Sequence, residues 1–359
     1  MVPVIDQNGK ALFPCKERRA RTLLARGEAV NYWQKGIFCI KLIRKETEKR
    51  EEYPDIALGI DPGSKREGYT VATPKDVVLN ITTNTPDWIE SHVETRRNLR
   101  RSRRQRKTPY RACRKNRSCQ SKTRIPPSTK ARWDAKLRII KILNRILPVT
   151  KINCEDIKAI TNKNKKRWNR SFSPLEVGKS YFYNQLKKLY PTTQMMITSG
   201  KGTSAHRKSR GFAKSTNKLA YTWDAHNSDS HSLAEIALNE NIYPYKGLYQ
   251  INFLEFHRRQ LHVQNPAKGG VRKEYGTTVS LDMSRGSVVR YTGKNKEHSG
   301  KLFYLGGSSK GKIEIKSIIT GARVYQFTNP RDIKVMYRSI MRTQFLPRHE
   351  GGGILAETK

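Results

Sequence analysis

Between Arg96 and Arg117 the chain places twelve basic residues and no acidic one, directly after an apolar lead-in of Trp88, Ile89 and Val93. Pro86 and Asp87 supply a helix start, and a helix with arginine on every face cannot be laid against an apolar core. Arg96, Arg100 and Arg104 recur at i,i+4, a like-charge spacing that weakens a helix until anions neutralise it. Guanidinium groups suit bidentate contact with phosphate. The chain therefore has to fold against a polyanion. Its balance agrees, with 72 Lys and Arg against 30 Asp and Glu and a net charge of +42. A membrane surface is the competing partner, but no apolar run reaches spanning length, and neither a leader nor a basic amphipathic helix with a bulky apolar face is evident. Nucleic acid is the expected partner and the cytoplasm the expected compartment. The five cysteines form no Cys-x-x-Cys pair and are odd in number, which argues against both a zinc ribbon and a disulfide framework.

Upstream, the run Asp55 to Ile60 ends on Asp61 and is followed at once by Pro62-Gly63-Ser64. This reads as a buried strand that holds a carboxylate at the sheet edge before a tight turn. An Asp-Pro-Gly often does no more than cap its own turn, so partners decide its meaning. Strand signals at Gly68 to Thr73 and Val77 to Thr82 follow too closely for intervening helices and predict an antiparallel meander. An amphipathic helix is expected from Ser128 to Leu147, and a strand over Val149 to Asp156 ends on a second acid, Glu155, with Asp156 beside it. A helix is expected from Ser173 to about Tyr190 and a short strand through Met195 to Ile197. Gly200 to Lys218 reads as a mobile basic loop close to nucleic acid. The stretch Trp223 to Leu238 reads as a helix that buries Leu233, Ala234, Ala237 and Leu238 and offers His226 and Asp229 on one face, with Asp224 as a competing acid.

These readings divide the chain into a small αβ module at 1–50 with a charged linker over Arg44 to Glu52, and a core in three segments at 55–84, 119–200 and 201–250. The arginine helix occupies 85–118. Beyond residue 250, short Gly-punctuated strands predict a small β-barrel-like domain at 251–359. The core order brings Asp61, Glu155, His226 and Asp229 to one sheet edge, an arrangement suited to holding two divalent ions for phosphodiester hydrolysis.

Gly59-Ile60-Asp61-Pro62-Gly63-Ser64, Cys154-Glu155 and His226-x-x-Asp229 resemble the three split motifs of a RuvC-like nuclease with the α/β ribonuclease H-like fold. The arginine helix resembles the bridge helix of type II CRISPR effectors. Ala11-Leu12-Phe13-Pro14 resembles the Pro-Leu-Met-Pro signature of the transposon-encoded IscB and IsrB families, with two of four residues different. Gln260 to Gly276 resembles their C-terminal part. The interval from Glu155 to His226 is too short for an HNH nuclease, so the resemblance is to the IsrB family.

That resemblance implies a protein guided by a long omega RNA, one protein per RNA, that nicks the non-target strand of double-stranded DNA beside a short adjacent motif. It implies a prokaryotic, nucleoid-associated protein with two Mg²⁺ ions, which Mn²⁺ can replace. Asp61 is then the ligand shared by the two ions, Glu155 and Asp229 flank it, and His226 is a ligand or the base that orients water. Glu155 is preferred to Asp156 on the same likeness, and Asp229 to Asp224 because it stands three residues after His226. Arg96, Arg97, Arg100, Arg101, Arg103, Arg104, Arg106, Lys107, Arg111 and Arg114 are the expected nucleic-acid contacts. Lys268, Arg272, Tyr275, Arg285 and Arg290 are candidates for reading the motif. A silent RNA-guided binder and a Holliday-junction resolvase are the alternatives.

Overall fold

The computed structural model describes residues 1–43, 53–107, 125–158, 173–253, 264–265, 270–271, 279–280, 283–284, 286–309, 311–318, 320–337 and 341–346. The Arg44 to Glu52 linker lies outside them. Two compact units are present, one formed by Met1–Glu48, Ile81–Thr83 and Lys246–Lys359, the other by Lys49–Asn80 and Asn84–Tyr245.

The first unit begins with a four-stranded sheet of β1 (Val2–Ile5), β2 (Ala11–Cys15), β3 (Ala29–Gln34) and β4 (Ile37–Leu42), in the order β2-β1-β4-β3. Helix α1 (Glu17–Ala25) packs Ala20 and Leu23 onto Val2, Val4, Ile40 and Leu42 of that sheet. Gly27 after the helix has a φ of 69°, the left-handed conformation that ends helices.

The second unit holds the acids. Its strands are β5 (Ala57–Asp61), β6 (Arg66–Ala72), β7 (Val77–Asn84, of which Ile81–Thr83 belongs to the first unit), β8 (Lys151–Asp156) and β9 (Gln194–Ser199), in the order β7-β6-β5-β8-β9. β5 and β6 are antiparallel, with Asp61 opposite Gly68, while β8 runs parallel to β5 and β9 parallel to β8. The result is a mixed sheet whose inner strands are buried on both faces, which explains their near-continuous apolar runs. The arginine-rich α2 spans Ile89–Lys107 and α3 spans Pro127–Asn144, where Pro127 stands at the first helical position. Next comes α4 (Pro174–Leu189), where Ser173 accepts from the Glu176 N–H as N-cap.

Two expectations are corrected here. Gly200–Ser209, read as part of a loop, is a helix, α5. Its two glycines and dense charge argue against a helix on propensity alone. Tertiary contacts override this: Ser199 caps Gly202 N–H at 3.2 Å, Thr203 is buried, and His206 and Arg210 reach the buried Glu235. The helix expected from Trp223 instead starts with a π turn over Trp223–Asn227 that leads into α6 (Ser228–Leu238). Wide turns of this kind recur at functional sites. Helix α6 is capped by Asn239 in the left-handed conformation, φ 56°. Its Ala234, Ala237 and Leu238 pack with Ala57, Ala72 and Val77 of the sheet.

Returning to the first unit, β10 (Leu248–Phe253) pairs in parallel with Ile81–Thr83 and antiparallel with Met341–Leu346. A five-stranded antiparallel sheet runs in the order 323–327, 312–316, 302–309, 288–291 and 333–337 around Val289, Leu305, Ile313 and Ile315. Among the described residues, its edge strands are 323–327 and 333–337.

Candidate functional site

The register of β5 against β8 places Gly59 beside Asn153 and Ile60 beside Cys154. The next residues, Asp61 and Glu155, therefore stand side by side. Ile60 and Cys154 are buried on one face; Asp61 and Glu155 alternate to the other, which they share with Gly59 and Asn153. That face lies under α6. A Cβ on Gly59 would fall 1.9 Å from the Ser230 carbonyl oxygen, and Asn153 Nδ2 donates to the Leu233 carbonyl at 2.9 Å. Gly68, the partner of Asp61 across the sheet, passes under the π turn, where a Cβ would meet the His226 carbonyl oxygen at 2.2 Å. Two glycines thus let the helix bearing Asp229 settle on β5, which carries Asp61, and the turn bearing His226 settle on its neighbour β6.

Asp156 lies on the opposite face and is held by Lys179 at 2.7 Å. The alternation of a strand separates two adjacent acids that sequence reading could rank only by likeness.

Burial, and then the neighbouring Glu155 carboxylate, push the Asp61 carboxyl up to about 8, with the Lys214 ammonium acting in the opposite sense. This is the behaviour of carboxylates crowded into one site without enough positive charge. Asp229 pairs with Arg207 at 2.9 Å and with Lys214. The Lys214 ammonium also bears on His226, so one loop lysine interacts with three of the four expected groups. Glu155 faces the start of α5, where a Cβ on Gly200 would fall 3.1 Å from its Oε1, so the positive end of that helix points at the carboxylate. Burial pulls the His226 imidazole down to about 4, leaving it neutral near pH 7. Its Nε2 lies 3.1 Å from the Lys218 carbonyl oxygen. A carbonyl only accepts, so Nε2 carries the proton and Nδ1 keeps its lone pair.

Below the sheet edge, Lys136 and Glu67 form a buried ion pair; Tyr69 O–H donates to Glu67 at 2.5 Å, and Lys136 Nζ reaches the Gly63 carbonyl at 3.4 Å. The turn that follows Asp61 is thereby fastened from beneath. Sequence reading missed this pair, as it missed Arg207 and Lys214, because all are defined by contacts between distant segments.

Among the described residues no three His, Cys, Asp or Glu side chains are arranged as they stand to hold a metal ion. The donor set nonetheless fits one: Asp61 and Glu155 offer hard oxygens that repel each other, and Asp229 is turned to an ammonium that supplies the missing positive charge. A divalent cation held there would compete with Lys214 for Asp229. Lys214→Ala is expected to tighten Mn²⁺ binding by about tenfold, the effect of about 1.4 kcal/mol. Titration of Mn²⁺ followed by its paramagnetic resonance signal checks this, and unchanged or weaker binding contradicts it.

A second expectation concerns the metal-free protein. The folded state keeps a proton on Asp61 up to about pH 8, whereas the unfolded chain releases it near pH 4. Stability from this group is therefore present at low pH and lost as pH rises from about 4 to 8. Asn at this position is neutral throughout. In EDTA, the melting temperature of Asp61→Asn should rise above that of the parent by a margin that widens from pH 5 to pH 9; a constant margin would contradict it.

The remaining expected contacts are distributed as follows. Arg96, Arg97, Arg100 and Arg101 are exposed along α2. Arg103, Arg104, Arg106 and Lys107 lie in the helix, with only their backbone described. Arg111, Arg114, Lys268, Arg272, Tyr275 and Arg285 lie outside the described residues. Arg290 is exposed on the strand Val288–Tyr291. No helix among the described residues is long and apolar enough to cross a membrane.

Two solved structures resemble the chain weakly. One is the T. thermophilus RuvC in complex with Holliday junction substrate, at 11% identity and a TM-score of 0.28, covering 50% of this chain and 90% of that one. The other is the yeast mitochondrial Holliday junction resolvase Ydc2, at 13% identity and a TM-score of 0.28, covering 53% and 80%. No curated protein matches. Residues 2–171, a little under half of the chain, match the RRXRR protein family. The matched residues include Arg100-Arg101-Ser102-Arg103-Arg104 of α2.

Proposed function

We propose that this protein is a divalent-metal-dependent DNA endonuclease, guided by a bound RNA, that nicks one strand through a single carboxylate centre. The observation that carries the reading is the side-by-side placement of Asp61 and Glu155 on the sheet face that α6 covers, with Asp229 in that helix's first turn. Asp61, Glu155 and Asp229 would hold the ions, taken as Mg²⁺. When bound, these supply activation of the attacking water and charge stabilisation for the leaving oxygen.

The chain's own groups orient and neutralise. His226, neutral with its Nε2 proton committed to Lys218, keeps Nδ1 available to accept a hydrogen bond from water and so orient it. Arg207 and Lys214 carry positive charge to the carboxylate edge, where a phosphodiester would compete for them. The exposed arginines of α2 grip backbone phosphates without reading sequence, which suits a protein whose specificity comes from guide pairing. Support for RNA guidance is the resemblance to the IsrB family together with the net charge of +42.

The test is nicking of a strand-labelled supercoiled plasmid by protein co-purified with its flanking RNA, with Mg²⁺ or with EDTA. Guide- and Mg²⁺-dependent cleavage of the non-target strand supports the reading. Cleavage of four-way junctions without RNA replaces it with a resolvase, and RNA-dependent binding without a nick replaces it with a silent binder.

A further inference from the structure

Around the acids, cations answer carboxylates. Arg207 and Lys214 meet Asp229, Lys136 meets Glu67 and Lys179 meets Asp156. Arg66, by contrast, pairs with no carboxylate among the described residues. Its Nη1 is buried without a hydrogen-bond partner, and burial pulls the guanidinium down, with only the Tyr221 phenol acting in the opposite sense. The acid next to it in sequence, Glu67, projects to the other face of β6 and is held there by Lys136.

Arg66 stands on the face that carries the acids. Gly68 lies opposite Asp61 in the antiparallel pair, so Arg66, two residues before Gly68, shares the face of Asp61 about 7 Å along the strand. Its charge bears on His226. The guanidinium lies over the Tyr221 ring, 3.5 Å from the ring centre, and the Tyr221 hydroxyl donates to Asn84 Oδ1 at 2.7 Å. A stacked guanidinium uses its face on the ring and leaves N–H edges for an anion. Asn84 ends β7, and α2 begins a few residues later at Ile89, so this shelf stands in the chain between the acids' sheet and the arginine helix. A half-buried permanent charge with an unpartnered N–H is costly to hold and calls for an anion. Phosphate is the anion that a chain of charge +42 is suited to meet, and it accepts from both prongs of a guanidinium.

We propose that Arg66, seated on Tyr221, binds a backbone phosphate of the cleaved strand and sets the path of that strand across the sheet face. The proposal rests on the nuclease reading above and deepens it by adding a phosphate contact that the carboxylates cannot supply. A guide-RNA phosphate has the same chemistry and is the other source to be distinguished.

The experiment uses the full protein–RNA complex on strand-labelled DNA in which a single methylphosphonate, which removes one phosphate charge, is walked through the positions flanking the nick. Binding is measured in EDTA and single-turnover nicking in Mg²⁺. With Arg66 in place, one position in the cleaved strand should lose roughly tenfold in both. Arg66→Gln should lose as much on unmodified DNA and nothing further from the methylphosphonate at that position, and its salt slope for binding should fall by about one. Removing an unpartnered buried N–H offsets the lost ring contact, so its melting temperature should be unchanged. Arg66→Lys, which keeps the charge without the planar fork, should recover part of the loss and couple to the same position; this arm keeps the test valid if Arg66→Gln fails to fold.

No coupled position in any strand makes Arg66 a packing cation on Tyr221, which overturns the site and leaves the nuclease intact. Coupling to a methylphosphonate in the guide RNA or the target strand instead overturns the cleaved strand as occupant. Coupling in EDTA with no guide-dependent nicking on any substrate overturns the nuclease reading, and the cleaved-strand assignment with it.

Discussion

Asp61→Asn is expected to abolish strand cleavage, by on the order of a thousandfold or more, while leaving nucleic-acid binding within about twofold. Asp61 ends a buried strand with Glu155 beside it, and it is the group whose charge is hardest to sustain without a cation. An amide offers no negative charge to a cation, yet it matches the carboxylate in shape, so the fold is kept. Binding is spread over α2 and the other basic surfaces, none of which depends on Asp61. Single-turnover nicking and filter binding on one preparation separate the two effects. A parallel fall in both would mean that Asp61 supports the fold or the nucleic-acid surface, not the chemistry.

The largest expected effect on stability comes from a residue with no side chain. Gly59→Ala would direct a methyl at the Ser230 carbonyl oxygen, 1.9 Å away, and at the Ala234 amide nitrogen, 2.7 Å away. Both are backbone atoms of α6, so no rotamer change relieves the clash. The helix must lift from β5 or the strand must bend, at a cost of about 3 kcal/mol, the upper end of ordinary overpacking. Lifting the helix also separates Asp229 from Asp61, so cleavage should fall together with the denaturation midpoint. Urea unfolding of wild type and variant checks it; a midpoint within experimental scatter of wild type would show that the helix does not sit on Gly59.

The strands that carry the acids were legible because their signals are local: an apolar run, an acid and a turn at Asp61-Pro62-Gly63, and a second run ending at Glu155. Choosing between Glu155 and Asp156 was not a local problem. It depends on which residue lies beside Asp61, and that register is set by pairing with a strand about ninety positions earlier. Helix α5 was hidden for a related reason, since Gly200 and Gly202 lower its propensity and its stability comes from Glu235 on another helix. The ammonium of Lys214 at Asp229 was beyond reach, because a basic stretch reads as a partner for phosphate until the fold shows which carboxylate it faces. The π turn at Trp223–Asn227 left no trace in the apolar pattern that announced α6.

The central claim is that Asp61, Glu155 and Asp229 form one metal centre. The most direct test is a crystal of the protein–RNA complex soaked in Mn²⁺, with anomalous differences measured at the manganese edge. The account predicts manganese peaks in contact with the Asp61 carboxylate, flanked by Glu155 and Asp229, and Lys214 withdrawn from Asp229. Full soaking with no peak at these carboxylates, and Lys214 still paired with Asp229, would contradict it.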